Sequence, residues 1–354
     1  AALSCRRHRR GSQFGMSCPP SITRRHALGL LAAALAGTAR AEPIRQFTIA
    51  TGDLAGTYYP LGGVLASVLT APPGGEPCRP GELCGVPGLV AVAQTSEGSM
   101  ANVEALAAGE VDSAFVQADV AHAAYAGRDV FAPAPVTGIR ALASLYPEVV
   151  QLVVRRDVEE RPRRVAVGAP RSGTRLSAPA VLPAFGLDPR ALEMVGLNPS
   201  RALAAIEAGE LDGFLTIAGT PTTAVREALA RGDMELLPVR LEAARRVVGA
   251  GSHWRLAVLP AGLYPRMPAT PSLSVPALWV VDAGLDDELV GALLAALWSP
   301  AASAALAAGH PAGRQITPAT ALEGLSVPLH PAAVDFYRAA GLIAAPDAVP
   351  HAGD

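Results

Sequence analysis

Lysine is absent from this sequence, in which all 29 basic residues are Arg. The chain therefore has no Schiff-base lysine, no pyridoxal phosphate anchor and no lysine of a phosphate-binding loop. Enzymes that depend on any of these three groups are excluded.

Charged residues and aromatic residues are both scarce, at 17% and 5% of the 354 residues. Average proteins have about 25% charged residues. Because half of the chain is apolar, it has ample material for packed cores, and a disordered or collagen-like chain is excluded. The length allows about two domains at roughly 150 residues each.

Catalytic and metal-binding motifs are missing as well. The sequence has no His-Glu-x-x-His, no Gly-x-Ser-x-Gly and no Cys-x-x-Cys. The His residues after residue 41 are scattered, and they favour structural roles. We therefore predict no catalytic residues, no metal site and no cofactor.

Acidic residues are missing from residues 1–41, which hold seven Arg, so the rest of the chain is acidic. The mildly acidic charge of the chain after residue 41 argues against a nucleic-acid partner. Long uninterrupted apolar runs are also missing after residue 41, and the chain offers no stretch of the ~20 residues that a spanning helix needs. We expect the exported protein not to span a membrane.

The N-terminus has the three parts of an export signal. The pair Arg24-Arg25 precedes an apolar run at 27–36, and Ala39-Arg40-Ala41 has the small-x-small pattern of a cleavage site. We predict a twin-arginine signal over residues 1–41 that is cleaved after Ala41, which places the protein in the periplasm. A Sec signal and a mitochondrial presequence are the alternatives.

Cysteine is rare, and only Cys78 and Cys84 lie beyond the signal. They are six residues apart in a Pro- and Gly-rich loop. In an oxidising compartment, a local disulfide is the expected state of such a pair, and two free thiols are the alternative.

Two halves of the chain repeat one pattern. The segments 109–116 and 209–216 both begin Gly-Glu and continue through Asp into an apolar run. Each follows a helical pattern that Ser99 or Ser200 opens as the predicted N-cap and that a Gly ends. Upstream, each half has a strand, a Gly- and Thr-containing turn and a helix.

The repeat predicts an α/β fold with two βαβαβ lobes. Residues 140–155 and the strands near 255–259 and 278–281 are expected to cross between the lobes, and the tail is expected to be helical. We predict that residues 42–145 and 270–354 form lobe 1, and that residues 146–269 form lobe 2. A cleft between hinged lobes is the expected ligand site.

In open α/β sheets the ligand lies outside the carboxyl ends of the strands, where helix N-termini offer free N–H groups. The predicted ligand-binding residues are those in the turns at these ends. They are Gly56, Thr57, Tyr58, Ser96, Gly98, Ser99, Gln117, Asp119, Ser172, Gly173, Thr174, Ala218 and Gly219. Neutral hydroxyls, Gly N–H groups and one Gln favour a small anionic or zwitterionic solute, with Asp119 or Glu97 available to an ammonium. For Ser99 and Thr57, a simple capping role is the alternative.

Several segments in order resemble the TAXI family of TRAP-transporter solute receptors. They lie at 56–63, 99–121, 168–174, 218–221, 259–265 and 328–331. The resemblance extends from about residue 44 to residue 342.

The resemblance implies a two-lobed periplasmic binding fold of type II, with the C-terminal helices packed on the first lobe. It also implies a receptor that delivers a small carboxylate, such as glutamate or 2-oxoglutarate, to a TRAP membrane permease. Glu97-Gly98 stands where relatives often have a Gly pair. That carboxylate either points away or favours an amine-bearing ligand.

Two other functions are compatible with this fold. A periplasmic sensor that feeds a membrane signalling protein would use the same cleft. An enzyme on the same scaffold would need a catalytic group in the cleft, because fold does not fix function.

Overall fold

The computed structural model describes residues 44–72, 78–79, 81–158, 161–250 and 253–344. The predicted export signal and its cleavage site lie outside these residues.

The described strands form one continuous mixed sheet. In chain order they are β1 (Arg45–Ala50), β2 (Thr70–Ala71), β3 (Val86–Pro87), β4 (Leu89–Gln94), β5 (Ser113–Gln117), β6 (Ile139–Arg155), β7 (Arg164–Ala166), β8 (Glu193–Val195), β9 (Gly213–Ala218), β10 (Met234–Leu237), β11 (Arg255–Leu259) and β12 (Thr270–Asp282). The helices cover both faces of the sheet or its ends. They are α1 (Tyr58–Leu69), α2 (Ser99–Ala107), α3 (Ala118–Ala126), α4 (Gly173–Val181), α5 (Pro199–Glu207), α6 (Thr223–Arg231), α7 (Leu241–Ala250), α8 (Asp287–Leu297), α9 (Pro300–Gly309) and α10 (Pro331–Ala339).

The sequence repeat corresponds to two equivalent βαβαβ units. In the first, β1 lies between β4 and β5 and is parallel to both. In the second, β7 lies between β8 and β9 and is again parallel to both. The buried strands β5 and β9 are continuous apolar runs, as expected for strands covered on both faces. The predicted pair of units is confirmed.

Two long antiparallel strands join the units. Strand β6 pairs with β9 of the second unit, and β12 pairs with β5 of the first. Along their middle, β6 and β12 pair with each other from Ile139↔Asp282 to Val149↔Ser274. The predicted two-lobed α/β fold with two crossing strands is therefore confirmed. The lobe boundaries predicted at 145/146 and 269/270 stay a prediction, because β6 runs through the first without a break.

Within this central ladder, Pro147 of β6 lies opposite Pro276 of β12. Proline has no backbone N–H, so neither residue donates a ladder hydrogen bond to the other. The two crossing strands thus meet at a row without donors.

The C-terminal helices pack on the first lobe, as predicted. Leu289 and Leu293 of α8 and Tyr337 of α10 share a buried cluster with Leu61 and Leu65 of α1. Within the described residues, no single helix is long and apolar enough to cross a membrane, and α8 and α9 meet that criterion only as a pair bent by 66°.

The serines predicted to cap two helices are not the caps. Helix α2 begins at Ser99 itself, and Gly98 is its N-cap. Helix α5 begins at Pro199, and the Asn198 side chain caps it by accepting a hydrogen bond from Arg201 N at 2.9 Å. Pro favours the first helical position because its missing N–H has no partner there anyway, and Asn is among the best caps, so the cap lies two residues before Ser200.

The predicted disulfide is present between Cys78 and Cys84. It closes the loop between β2 and β3, which accounts for the greater length of the first repeat.

Candidate functional site

A small cavity lies between the two lobes, at the carboxyl ends of their parallel strands. Its volume is about 110 Å³, which is below the roughly 300–1,000 Å³ of sites for drug-sized molecules. Most of the predicted site residues line it. From the first lobe these are Gly56, Thr57, Tyr58, Gly98, Ser99 and Gln117. From the second they are Ser172, Gly173, Thr174 and Ala218.

Six helices begin at this cavity. Tyr58, Ser99, Gly173 and Pro199 open α1, α2, α4 and α5, and Gln117 and Thr222 immediately precede α3 and α6. The first turn of a helix has free backbone N–H groups and the positive end of the helix dipole. The converging N-termini give the cavity a positive partial charge without a cationic side chain.

Gln117 is the side chain most clearly available to a ligand. It is only 3% exposed and lines the cavity, and its Nε2 has no hydrogen-bond partner within the described chain. Ser99 helps to hold it, because Ser99 Oγ accepts a hydrogen bond from Gln117 N at 3.1 Å. Ser99 therefore acts on strand β5 and not as a cap. A buried donor without a partner costs stability, which a bound solute would restore.

Thr57 connects the two lobes. Its Oγ1 donates to Gly219 O at 2.9 Å and makes no capping hydrogen bond to α1. Gly219 does not line the cavity. A Cβ at Gly219 would lie 2.7 Å from Thr57 Cγ2 and 2.8 Å from Tyr146 Cε2, so only glycine permits this approach. The predicted site residue Gly219 belongs to the contact between the lobes.

Ser96 supports the cavity from behind. Its Oγ donates to Asn102 Oδ1 at 2.6 Å and accepts from Gly98 N at 3.0 Å. Gly98 has a φ of +122°, a conformation that favours glycine. Ser96 thus fixes the turn that presents Gly98 and Ser99, and it does not itself line the cavity.

Asp119 was expected to face the ligand, but the structure places it in a second groove of about 520 Å³. Gln117 ends β5 in an extended conformation and lines the first cavity, whereas Asp119 lies on the first turn of α3 and lines the second groove. Its Oδ2 accepts a hydrogen bond from Ser177 Oγ of α4, and its Oδ1 has no partner within the described chain. Burial raises the pKa of Asp119 to about 6.

Glu148 is the cavity residue that the sequence analysis missed. It lies on β6, is 3% exposed and accepts a hydrogen bond from Tyr58 Oη to Oε2 at 2.7 Å. Burial raises its pKa well above the usual range. One signal was available, because Glu148 is the lone acid in the mostly apolar segment 139–155. The pattern of that segment predicted a crossing strand, and none of its residues was predicted to bind the solute.

The mouth of the cavity has two further acids. Asp53 Oδ2 accepts from Asn198 Nδ2 at 2.7 Å, and Glu97 Oε2 accepts from Arg171 N at 3.2 Å. Both bonds extend from one lobe to the other. Glu97 is exposed and is directed toward the second lobe.

Solved structures of similar fold include several binding proteins. The alkanesulfonate-binding protein SsuA from Xanthomonas axonopodis pv. citri is 17% identical, with a TM-score of 0.46 over 85% of this chain and 95% of that chain. The periplasmic nitrate-binding protein NrtA from Synechocystis PCC 6803 is 12% identical, with a TM-score of 0.46 over 75% of this chain and 62% of that chain. The ligand-binding component of an ABC-type import system from Staphylococcus aureus is 11% identical, with a TM-score of 0.44 over 71% of this chain and 72% of that chain. Similarities this distant identify neither a ligand nor a partner.

The family assignment comes from the sequence itself. A family profile matches residues 49–341, which include both crossing strands, all the residues that line the cavity and both βαβαβ units except the first four residues of β1. The chain belongs to the NMT1-like family.

Proposed function

We propose that this protein is an extracytoplasmic receptor whose two lobes close on a small solute and present it to a membrane permease. The observation that carries the proposal is the interlobe cavity, with the buried Gln117 Nε2, which has no partner within the described chain, on its wall. A cavity of this kind suits capture of a solute. The hydrogen bonds between the lobes at Thr57, Asp53 and Glu97 stabilise the closed form.

The location and the partner belong to the same proposal. The export signal predicted over residues 1–41 supports the periplasm. The resemblance to TAXI receptors supports a TRAP permease as partner and a small carboxylate as solute. The six helix N-termini at the cavity also support a carboxylate, because such ends bind anions through backbone N–H groups.

The mechanism is a population shift. A solute that contacts Gln117 and Ser99 on one lobe and Gly173 and Thr174 on the other binds the closed form better than the open form. Only this difference in affinity moves the equilibrium toward closure. The permease then distinguishes loaded from empty receptor by shape.

Thermal unfolding with a solute panel tests the proposal. The protein is denatured and refolded to remove any co-purified solute. It is then heated with glutamate, glutamine, 2-oxoglutarate, C4 dicarboxylates, short fatty acids and sulfonates. We expect a saturable rise in Tm with one class, since a solute at 100 times its Kd stabilises by about 2.7 kcal/mol.

Gln117→Ala provides the matched test of the site. It should weaken binding by about 1–3 kcal/mol, because the partner group on the solute is left unpaired. Gln46→Ala, at an exposed position on β1, is the control and should bind like the wild type. No shift with any solute, or equal affinities of the two variants, would contradict the proposed site.

A further inference from the structure

Glu148 has a fixed position at the base of the cavity. Tyr58 Oη holds its Oε2, and the Tyr58 ring packs edge-on against Phe115 with centroids 5.7 Å apart. Ser99 Oγ lies 3.4 Å from the same Tyr58 Oη. The carboxyl group is therefore oriented by groups from α1 and β5, while it stands on the crossing strand β6.

The second oxygen of this carboxyl group lacks a donor. Across the described residues, Tyr58 Oη is the one hydrogen-bond donor to Glu148, and it reaches Oε2. Oε1 is left for a group inside the cavity that Glu148 lines. A buried carboxylate is stable only when it is paired with a cation or fully hydrogen-bonded.

The cavity wall supplies no cation. Asp53, Glu97 and Glu148 line it, and no Arg or His lies among its described lining residues. Asp53 and Glu97 have partners at the mouth, in Asn198 Nδ2 and Arg171 N. Asp53 is half-buried and Glu97 is exposed, whereas Glu148 is buried, so its ionised form is the one that needs a cation from the bound solute.

The opposite requirement applies at Gln117, which lines the same cavity. Gln117 Nε2 is a buried donor without a described partner, and it lies beside the N-termini of α2 and α4. A carboxylate there would accept from Gln117 and from free backbone N–H groups. The cavity wall accordingly offers a donor for an anion at Gln117 and an acceptor for a cation at Glu148.

From these two side chains we infer that Glu148 receives the ammonium group of the solute, so that the cleft selects a zwitterion with one carboxylate over a dicarboxylate without an amine. This inference rests on the proposed receptor function and names its solute class. Glu148 thereby takes the role of ammonium acceptor, for which the sequence predicted Glu97 or Asp119.

The inference fixes the direction of the pH dependence. Burial raises the pKa of Glu148, and the titratable groups around it are Tyr58 on α1, Tyr146 on β6 and Asp119 on α3, none of them a cation. Pairing with an ammonium requires the ionised carboxylate, so binding releases a proton and becomes tighter as the pH rises. A neutral Glu148 that donated to a second solute carboxylate would give weaker binding as the pH rises.

Isothermal titration with three matched pairs tests the inference. The pairs are L-alanine and propanoate, 4-aminobutanoate and butanoate, and L-glutamate and glutarate. We expect the amine member of at least the best-binding pair to bind tenfold or more tightly than its partner. Its affinity should rise from pH 5 to pH 8, with a buffer-dependent heat that reports proton release.

Glu148→Gln should abolish both the preference for the amine and the pH dependence. Glu227→Gln, the same change at an exposed position on α6, should alter neither. If Glu148→Gln does not fold, the wild-type pH slope and the ratio of affinities within each pair decide the question alone.

The titrations distinguish failure of the ammonium site from failure of the proposed receptor function on which it rests. If the acids without an amine bind equally or more tightly, or if the affinity falls as the pH rises, Glu148 does not receive an ammonium group. The proposed receptor function is unaffected by either result. Failure of all six probes to bind, with no rise in Tm for the wider panel, overturns both.

Discussion

At the scale of single residues, the cavity depends on one close approach between the lobes. Gly173 opens α4, and a Cβ placed on it would collide with Gln117 Oε1 and lie 2.9 Å from Ser99 Oγ. Gly173 needs no unusual backbone conformation, since it is absent from the positive-φ glycines. Glycine is required here by the neighbouring lobe and not by its own helix.

Gly173→Ala should therefore prevent closure without disturbing the fold. We expect the affinity for the best solute of the panel to fall at least tenfold, while the Tm of the empty protein is maintained or rises. Gly63→Ala on α1 is the control, because a Cβ there meets nothing within 4 Å. It should bind normally and be more stable by up to about 1 kcal/mol. Normal affinity in Gly173→Ala would contradict the closed geometry at this contact.

Single residues also show which parts of the site could be predicted from sequence. Residues in the turns after strands were predictable, because the carboxyl ends of parallel strands share one edge of the sheet. Glu148 was not, because a residue in the middle of a crossing strand reaches the cleft only through the pairing of β6 with β12. Asp119 was misplaced because its direction depends on α3 beginning at Ala118.

At the scale of elements, helices α3 and α4 are joined across the lobes by a buried acid. Asp119 of α3 is 8% exposed and accepts from Ser177 Oγ of α4. The same groove contains His122, His253, Arg128, Asp129 and Arg246. Burial has the largest effect on Asp119, and it raises the pKa of this carboxyl group from an ordinary value of 3.8 to about 6.

The sign of the resulting pH effect follows from proton binding. Between pH 4 and pH 6 the folded state holds the Asp119 proton more tightly than the unfolded chain, so this residue's contribution to stability falls as the pH rises. Asp119→Asn should thus gain stability relative to the wild type over that interval, by up to roughly 3 kcal/mol. Burial lowers the pKa of His253 to about 4, which acts in the opposite direction, so the two proteins are compared at each pH.

Urea unfolding at pH 4, 5, 6 and 7 measures this difference. Asp233→Asn, at an exposed position, is the control and should track the wild type. A difference between Asp119→Asn and the wild type that stays constant from pH 4 to pH 7 would contradict the assignment.

Elements were the most predictable level of the structure. The repeated Gly-Glu-x-Asp segments located β5 and β9, and the apolar run at 140–155 located β6. The short strands β2, β3 and β10 were missed, because two to four residues are too few to show an alternating pattern. The capping errors at Ser99 and Ser200 arose because Gly98 and Asn198 compete for the same turns.

At the scale of the whole molecule, the lobes are joined by hydrogen bonds that the open form of the proposed receptor would lack. Asn198 Nδ2 donates to Asp53 Oδ2 across the mouth of the cavity, while Asn198 Oδ1 caps α5. Serine is also a good N-cap but has no amide group. Asn198→Ser therefore removes the interlobe bond and keeps a cap on the helix.

We expect Asn198→Ser to release solute about fivefold faster, which corresponds to about 1 kcal/mol for one hydrogen bond. The association rate should change little, because the encounter occurs in the open form. Stopped-flow measurements on the single variants Asn198→Ser and Asp53→Ala and on the double variant test this. Strictly additive effects of the two changes would show that the two side chains do not interact.

The row at which Pro147 faces Pro276 has a consequence for how the lobes turn. The β6 and β12 backbones can rotate there without losing a hydrogen bond donated by either proline, whereas rotation at a neighbouring row would break the ladder. The next residue along β6 is Glu148. A twist of β6 at Pro147 would therefore redirect the carboxyl group of its neighbour Glu148 in the cavity wall.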